Sequence, residues 1–184
     1  MPILPIVTYN DPILREKTKP VEELTDDIKN FISDMFETMY NSDGVGLAAP
    51  QVGSSHSIFV MDADAMIDEG DPALGPMAFI NPEILEKKGE KIQMDEGCLS
   101  IPSITDKVSR PETIVIKYLD QNFNEKVEEF SSWNSRVIQH EYDHLQGVLF
   151  IDYLSPFRRR MHKSDLKEIE KGVRETSYPI VPKA

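Results

Sequence analysis

A chain of 184 residues with 40% hydrophobic and 28% charged residues has the size and composition of one globular domain, which excludes a disordered polymer. Lys and Arg number 20 against 32 Asp and Glu, and the net charge of −12 excludes a protein that coats nucleic acid by charge alone. No apolar run approaches the roughly 20 residues that cross a bilayer, Met1-Pro2-Ile3-Leu4-Pro5 lacks a signal-peptide pattern, and one cysteine forms no disulfide within the chain, so a cytoplasmic protein without membrane contact is expected.

In chain order, the first strong pattern covers residues 25–40, where Ile28, Phe31, Ile32, Met35, Phe36 and Met39 recur at helical spacing. Thr25 caps this helix, Asp26 and Asp27 suit its positive end, and Asn41-Ser42-Asp43-Gly44 stops it. The next segment, Gly44-Val45-Gly46-Leu47-Ala48-Ala49-Pro50-Gln51, reads as a loop lining a cleft. Gly46 lets a peptide backbone lie close to it, and the Gln51 amide can donate to an oxyanion. Residues 57–61 form a short buried strand, and the acidic stretch 62–76 forms an exposed loop to which no chemistry is assigned.

Strands are expected over residues 79–88, 92–94 and 113–119, and residues 125–130 return as an edge strand after an Asp120-Gln121-Asn122 turn. Helical spacing resumes over about 133–145, with Gly147 as a stop. A last helix starts at Pro156 and runs to Lys171, and residues 172–184 are expected to be an irregular tail. This order predicts an α+β fold in which antiparallel sheets pack around a central helix, with an N-terminal and a C-terminal helix, in one domain spanning 1–184.

The central helix carries His140-Glu141-Tyr142-Asp143-His144, a HExxH pattern. Residues four apart share a helix face, so both imidazoles can reach one ion while Glu141 acts as acid and base on a water at the open position. A third ligand is needed. The extended metalloprotease pattern requires a histidine where this chain has Phe150, and Glu168 and Glu170 lie in a charged, exposed-looking segment. Cys98, in Glu96-Gly97-Cys98-Leu99-Ser100, is the remaining soft donor, and its thiolate would complete a Cys/His/His site. Alone, Cys98 would be read as an inert buried thiol. The bare HExxH pattern also leaves open an endopeptidase and a non-catalytic metal-binding module.

Three motifs together, GVGLAAPQ at 44–51, EGCLS at 96–100 and QHEYDH at 139–144, resemble peptide deformylase in order and spacing. The resemblance extends to Asp11-Pro12-Ile13-Leu14-Arg15 and to Gly147-Val148-Leu149-Phe150-Ile151-Asp152, covering roughly residues 3 to 160. It implies removal of the N-formyl group from the initiator methionine of nascent polypeptides, with release of formate. It also implies one Fe²⁺ per chain, replaceable by Zn²⁺, Ni²⁺ or Co²⁺, held by Cys98, His140 and His144. Under it Glu141 is the general base and then acid, and Gln51 and the Leu99 N–H steady the oxyanion.

By the same resemblance Val45, Gly46, Met94, Glu96, Trp133 and Val137 fall at or near the substrate, and Glu96 pairs with Arg110 to hold the Cys98 segment. Arg136 departs from the more apolar residue often found at its position. The basic cluster Arg158, Arg159, Arg160, His162 and Lys163 is implied to contact ribosomal RNA, and the protein is expected to be a monomer.

Overall fold

The computed structural model describes residues 2–181. Its elements run in chain order β1 (Ile6–Val7), α1 (Asp26–Asn41), β2 (Gly46–Ala48), β3 (Ile58–Met61), β4 (Met77–Cys98), β5 (Ile101–Leu119), β6 (Glu125–Ser131), α2 (Ser132–Leu145), α3 (Pro156–Met161), α4 (Lys163–Glu170) and β7 (Ile180–Val181), joined in part by short 3-10 turns. The fold is α+β: β2 to β6 form one sheet in sequence order, every neighbouring pair antiparallel.

Period-two alternation accounts for the sheet. Ile114, Ile116 and Tyr118 of β5 all point inward, where Phe79 stacks on Phe59 at 4.6 Å and meets Tyr118 at 4.3 Å. Each such large side chain contributes about 1.5–3 kcal/mol by leaving water. The opposite side of the molecule is closed by α1, whose Ile28, Ile32, Met35 and Met39 meet Ile58, Val60 and Ile80. Thr25 caps α1 by accepting from the Ile28 N–H, as its sequence predicts. α2 packs against β2, β3, β5 and β6, with Val137, Ile138 and Leu145 in the same cluster as Phe79.

Five features differ from the sequence expectation, and the first is that the strand expected at 113–119 begins at Ile101, as the inward alternation of Ile104, Asp106, Val108 and Arg110 carries β5 back to the turn. The strands expected at 79–88 and 92–94 are one 22-residue strand, because pairing with β5 continues across the exposed, charged stretch and register shifts absorb its irregularities. Part of the 44–51 segment, expected as a loop, is strand β2. The last helix is two, α3 and α4, with a junction at His162, whose Nε2 lies 2.7 Å from Asp106 Oδ2 on β5. Within the tail expected to be irregular, β7 pairs parallel with β1.

Candidate metal centre

A buried helix is ordinarily apolar on all sides. α2 instead buries Asn134, Ser135, Arg136, Gln139, Glu141, Asp143 and His144. So many polar groups away from water need partners, and those partners define the site. One helical turn separates His140 and His144, whose rings sit 5.1 Å apart. Cys98 ends β4 and faces them across a two-residue turn, Leu99-Ser100, into β5. The Cys98 Sγ lies 3.4 Å from His144 Nε2, and the donor atoms of Cys98, His140 and His144 all lie within 4.8 Å of one another. One sulfur and two imidazoles, with no carboxylate among them, suit iron, zinc, cobalt or nickel and not magnesium or calcium.

Glu96 organises the surroundings of this trio. It is buried and accepts from Arg110 Nε (2.6 Å), Arg110 Nη2 (2.9 Å) and Arg136 Nη1 (2.7 Å). Burial would raise its carboxyl, but the bonds from Arg110 and His140 outweigh that and hold it well below the usual range. An ionised Glu96 at 2.9 Å keeps a proton on His140 Nδ1 and leaves the other ring nitrogen toward the trio. Burial opposes a charged His140, yet Cys98 and Glu96 raise it well above the ordinary imidazole value. Burial and the neighbouring His140 push His144 the other way, well below it. Arg110 also donates to Asp143 (2.8 Å), which accepts from the Tyr153 hydroxyl (2.7 Å), so the pattern's own Asp143 anchors α2 from behind.

Glu141 stands beside the trio. It is buried, and its Oε2 meets no hydrogen-bond partner among the described residues. Burial pushes its carboxyl up to about 7 against the opposing pull of His140. Gly46 lies so close that a Cβ there would sit 2.6 Å from Glu141 Oε1, which explains the glycine. Gln51 is oriented by the Ala48 N–H, which donates to its Oε1 at 2.9 Å and turns its NH₂ toward Ser100 Oγ (3.2 Å) and Cys98 Sγ (3.4 Å).

These groups surround a cleft of about 350 Å³, a volume ordinary for a small-ligand site. Val45, Gly46, Gln51, Glu96, Cys98, Leu99, Trp133, Val137, His140 and Glu141 all line it. Met94, expected at the pocket, does not: it borders a separate shallow depression with Ile92, Arg110, Pro111 and Arg136. Four residues of extended strand, roughly 13 Å, separate it from Cys98. Glu96 lines the cleft, but its oxygens are engaged by Arg110, Arg136 and His140.

Sequence reasoning missed several lining residues. Met66 comes from the acidic loop to which no chemistry was assigned, and Tyr178 comes from the tail expected to be irregular. Arg136, where a more apolar residue is often found, reaches the cleft while donating to Glu96, Val108 O (2.8 Å) and Ile92 O (2.6 Å). Its spacing from His140, one helical turn, was the available signal. Of the C-terminal arginines, Arg158 donates to buried Asp106 (2.5 Å), and Arg159 lies 3.7 Å from Asp152.

The polypeptide deformylase family matches residues 3–160. The chain is 48% identical to a peptide deformylase of Salinibacter ruber, covering 98% of this chain and 95% of that protein. It is 47% identical to one of Chlorobium phaeovibrioides, covering 97% and 92%. Among solved structures, peptide deformylase from Ehrlichia chaffeensis in complex with actinonin superposes with a TM-score of 0.85 at 40% identity, covering 95% of this chain and all of that one. The Thermotoga maritima peptide deformylase gives 0.77 at 45% identity, covering 85% and 100%. This chain belongs to the polypeptide deformylase family.

Proposed function

We propose that this chain hydrolyses the N-formyl group of formyl-methionyl nascent peptides and releases formate. The observation that carries the reading is the clustering of the Cys98, His140 and His144 donors beside a cleft that Cys98, His140 and Glu141 line, with one Glu141 oxygen unengaged among the described residues. Cys98, from the end of β4, and His140 and His144, from the metal-binding helix α2 packed at the centre of the fold, are the ligands. An ion held by these three residues would supply Lewis acidity that draws the pKa of water from near 16 toward about 7.

The remaining work falls to side chains and backbone. Glu141 takes a proton from the attacking water, whose oxygen bonds to the formyl carbon. A carboxyl raised to about 7 both accepts and returns a proton near neutral pH. Charge gathering on the formyl oxygen meets Gln51 Nε2–H and the Leu99 N–H, and losing one such donor typically costs on the order of 100-fold to 1000-fold in rate. As the carbon–nitrogen bond breaks, Glu141 hands the proton to the amine nitrogen, and formate leaves. Val45, Trp133 and Val137 give the methionine side chain apolar contact.

The ion in this reading is Fe²⁺, with Zn²⁺, Ni²⁺ or Co²⁺ able to replace it. The working unit is a cytoplasmic monomer, one catalytic domain over residues 1–184, and no helix among the described residues is long and apolar enough to cross a membrane. Arg158, Arg159 and Arg160 contact ribosomal RNA in the same reading. Because Arg158 is engaged with Asp106, charge reversal at Arg159 and Arg160 is the cleaner probe, and it weakens ribosome binding.

The deciding experiment incubates the metal-loaded protein with a formyl-methionyl tripeptide and with a longer unformylated peptide. Formate and free amine are expected in equal amounts from the first, and nothing from the second. Internal cleavage of the longer peptide would indicate an endopeptidase, and metal uptake without either product a binding module.

A further inference from the structure

Leu99 and Ser100 are the two central residues of the β4–β5 turn, where backbone carbonyls have no ladder partner. Both carbonyls are nevertheless held, and the holders come from the two ends of the chain. The Tyr178 hydroxyl donates to Leu99 O at 2.7 Å, and the Tyr9 N–H donates to Ser100 O at 2.9 Å. The two ends are also tied to each other. β1 pairs with β7, and the Ile6 N–H donates to Pro179 O at 2.9 Å; within the C-terminal segment the Thr176 hydroxyl donates to Tyr178 O at 2.6 Å. From the inner side Gln51 Nε2 donates to Ser100 Oγ, so the turn that carries Cys98 and the Leu99 N–H is gripped from both faces.

We infer that Tyr178 is a positioning residue for the deformylation step: its hydroxyl, anchored by the paired chain ends, holds the Leu99 carbonyl and so restrains the Leu99 backbone, whose N–H, in the preceding peptide group, stays aimed at the formyl oxygen. The inference rests on the reading of Leu99 as an oxyanion donor. An oxyanion donor works only within a few tenths of an ångström of its place, and a turn residue without ladder bonds lacks that restraint of its own. Tyr178 also borders the cleft, yet it lies beyond the residues 3–160 that the family matches. The brace is therefore supplied by the C-terminal segment and not by the shared motifs.

The test compares Tyr178→Phe with a chain ending at Glu175 and with a protein in which the Leu99 amide is replaced by an ester. Tyr178→Phe removes one hydrogen bond and keeps the ring, so kcat on a formyl-methionyl dipeptide is expected to fall about threefold to tenfold. KM stays within about twofold and metal content is unchanged, because neither depends on the aim of the Leu99 N–H. The truncated chain matches or exceeds that loss in kcat. The ester, which lacks the N–H, loses on the order of 100-fold or more. Tyr178→Phe with wild-type kcat and a lowered melting midpoint would make the bond merely structural and overturn the inference while leaving the oxyanion reading intact. An ester protein with full kcat would overturn that reading and the brace with it.

Discussion

Replacing Glu96 by Ala tests the network beneath the metal centre. Glu96 and Arg110 are 4% and 3% exposed in their side chains, so this is a dry ion pair whose loss is not compensated by water. The substitution removes the acceptor of two guanidinium groups, Arg110 and Arg136, and the partner of His140 Nδ1. Breaking a buried pair from one side costs about 3–5 kcal/mol. At this chain length each kcal/mol moves the melting midpoint about 2–4 °C, so a fall of roughly 6–20 °C is expected. Melting in excess chelator isolates this effect from metal binding. A separate chelator-competition titration should show metal affinity down about 10-fold to 100-fold, because His140 loses the carboxylate that sets its tautomer and orientation. A midpoint within about 2 °C of wild type together with unchanged metal affinity would refute the assignment of Glu96 as the organiser of the site.

Gly46→Ala places a Cβ 2.6 Å from Glu141 Oε1, and displacing that carboxylate by about 1 Å should cost on the order of 100-fold in kcat while metal content stays constant. Steady-state kinetics at wild-type rate would show that the position of Glu141 is not needed. Asp106→Asn probes the buried clamp between β5 and the α3–α4 junction. The bond from Arg158 chiefly holds the Asp106 carboxyl below its ordinary value, with His162 and the Lys107 N–H adding to it against burial. A group with a depressed folded pKa stabilises above its unfolded pKa and loses that contribution as pH falls through the folded one. The gap in melting midpoint between wild type and Asp106→Asn should therefore be full above about pH 4 and close in more acidic buffer, whereas a gap independent of acid would contradict the clamp.

The parts of the site legible in the sequence are those encoded by short spacing. His140 and His144 read off one helix face with Glu141 beside it, Gly46 and Gln51 off one compact motif, and the Thr25 cap and apolar stripe of α1 off local chemistry. What was not legible depends on long-range pairing. The middle of β4 crosses exposed, charged residues with no inward alternation, so its continuity comes from pairing with β5. Arg136 looked misplaced because an arginine on a buried face needs acceptors from elsewhere, and these are Glu96 and the Val108 and Ile92 carbonyls. Met94 was expected at the pocket by resemblance alone, but it borders a separate depression, about four residues of extended strand from Cys98. Tyr178 gave no signal, since its partner is 79 residues away.

The most direct test of the central claim is the rate of formate release from a formyl-methionyl peptide by metal-loaded Glu141→Ala, with metal per chain measured on the same sample. The account predicts wild-type metal content and a rate reduced by about 100-fold or more, because the ligands Cys98, His140 and His144 remain while the proton carrier is gone. Formate release at the wild-type rate from that variant would contradict it.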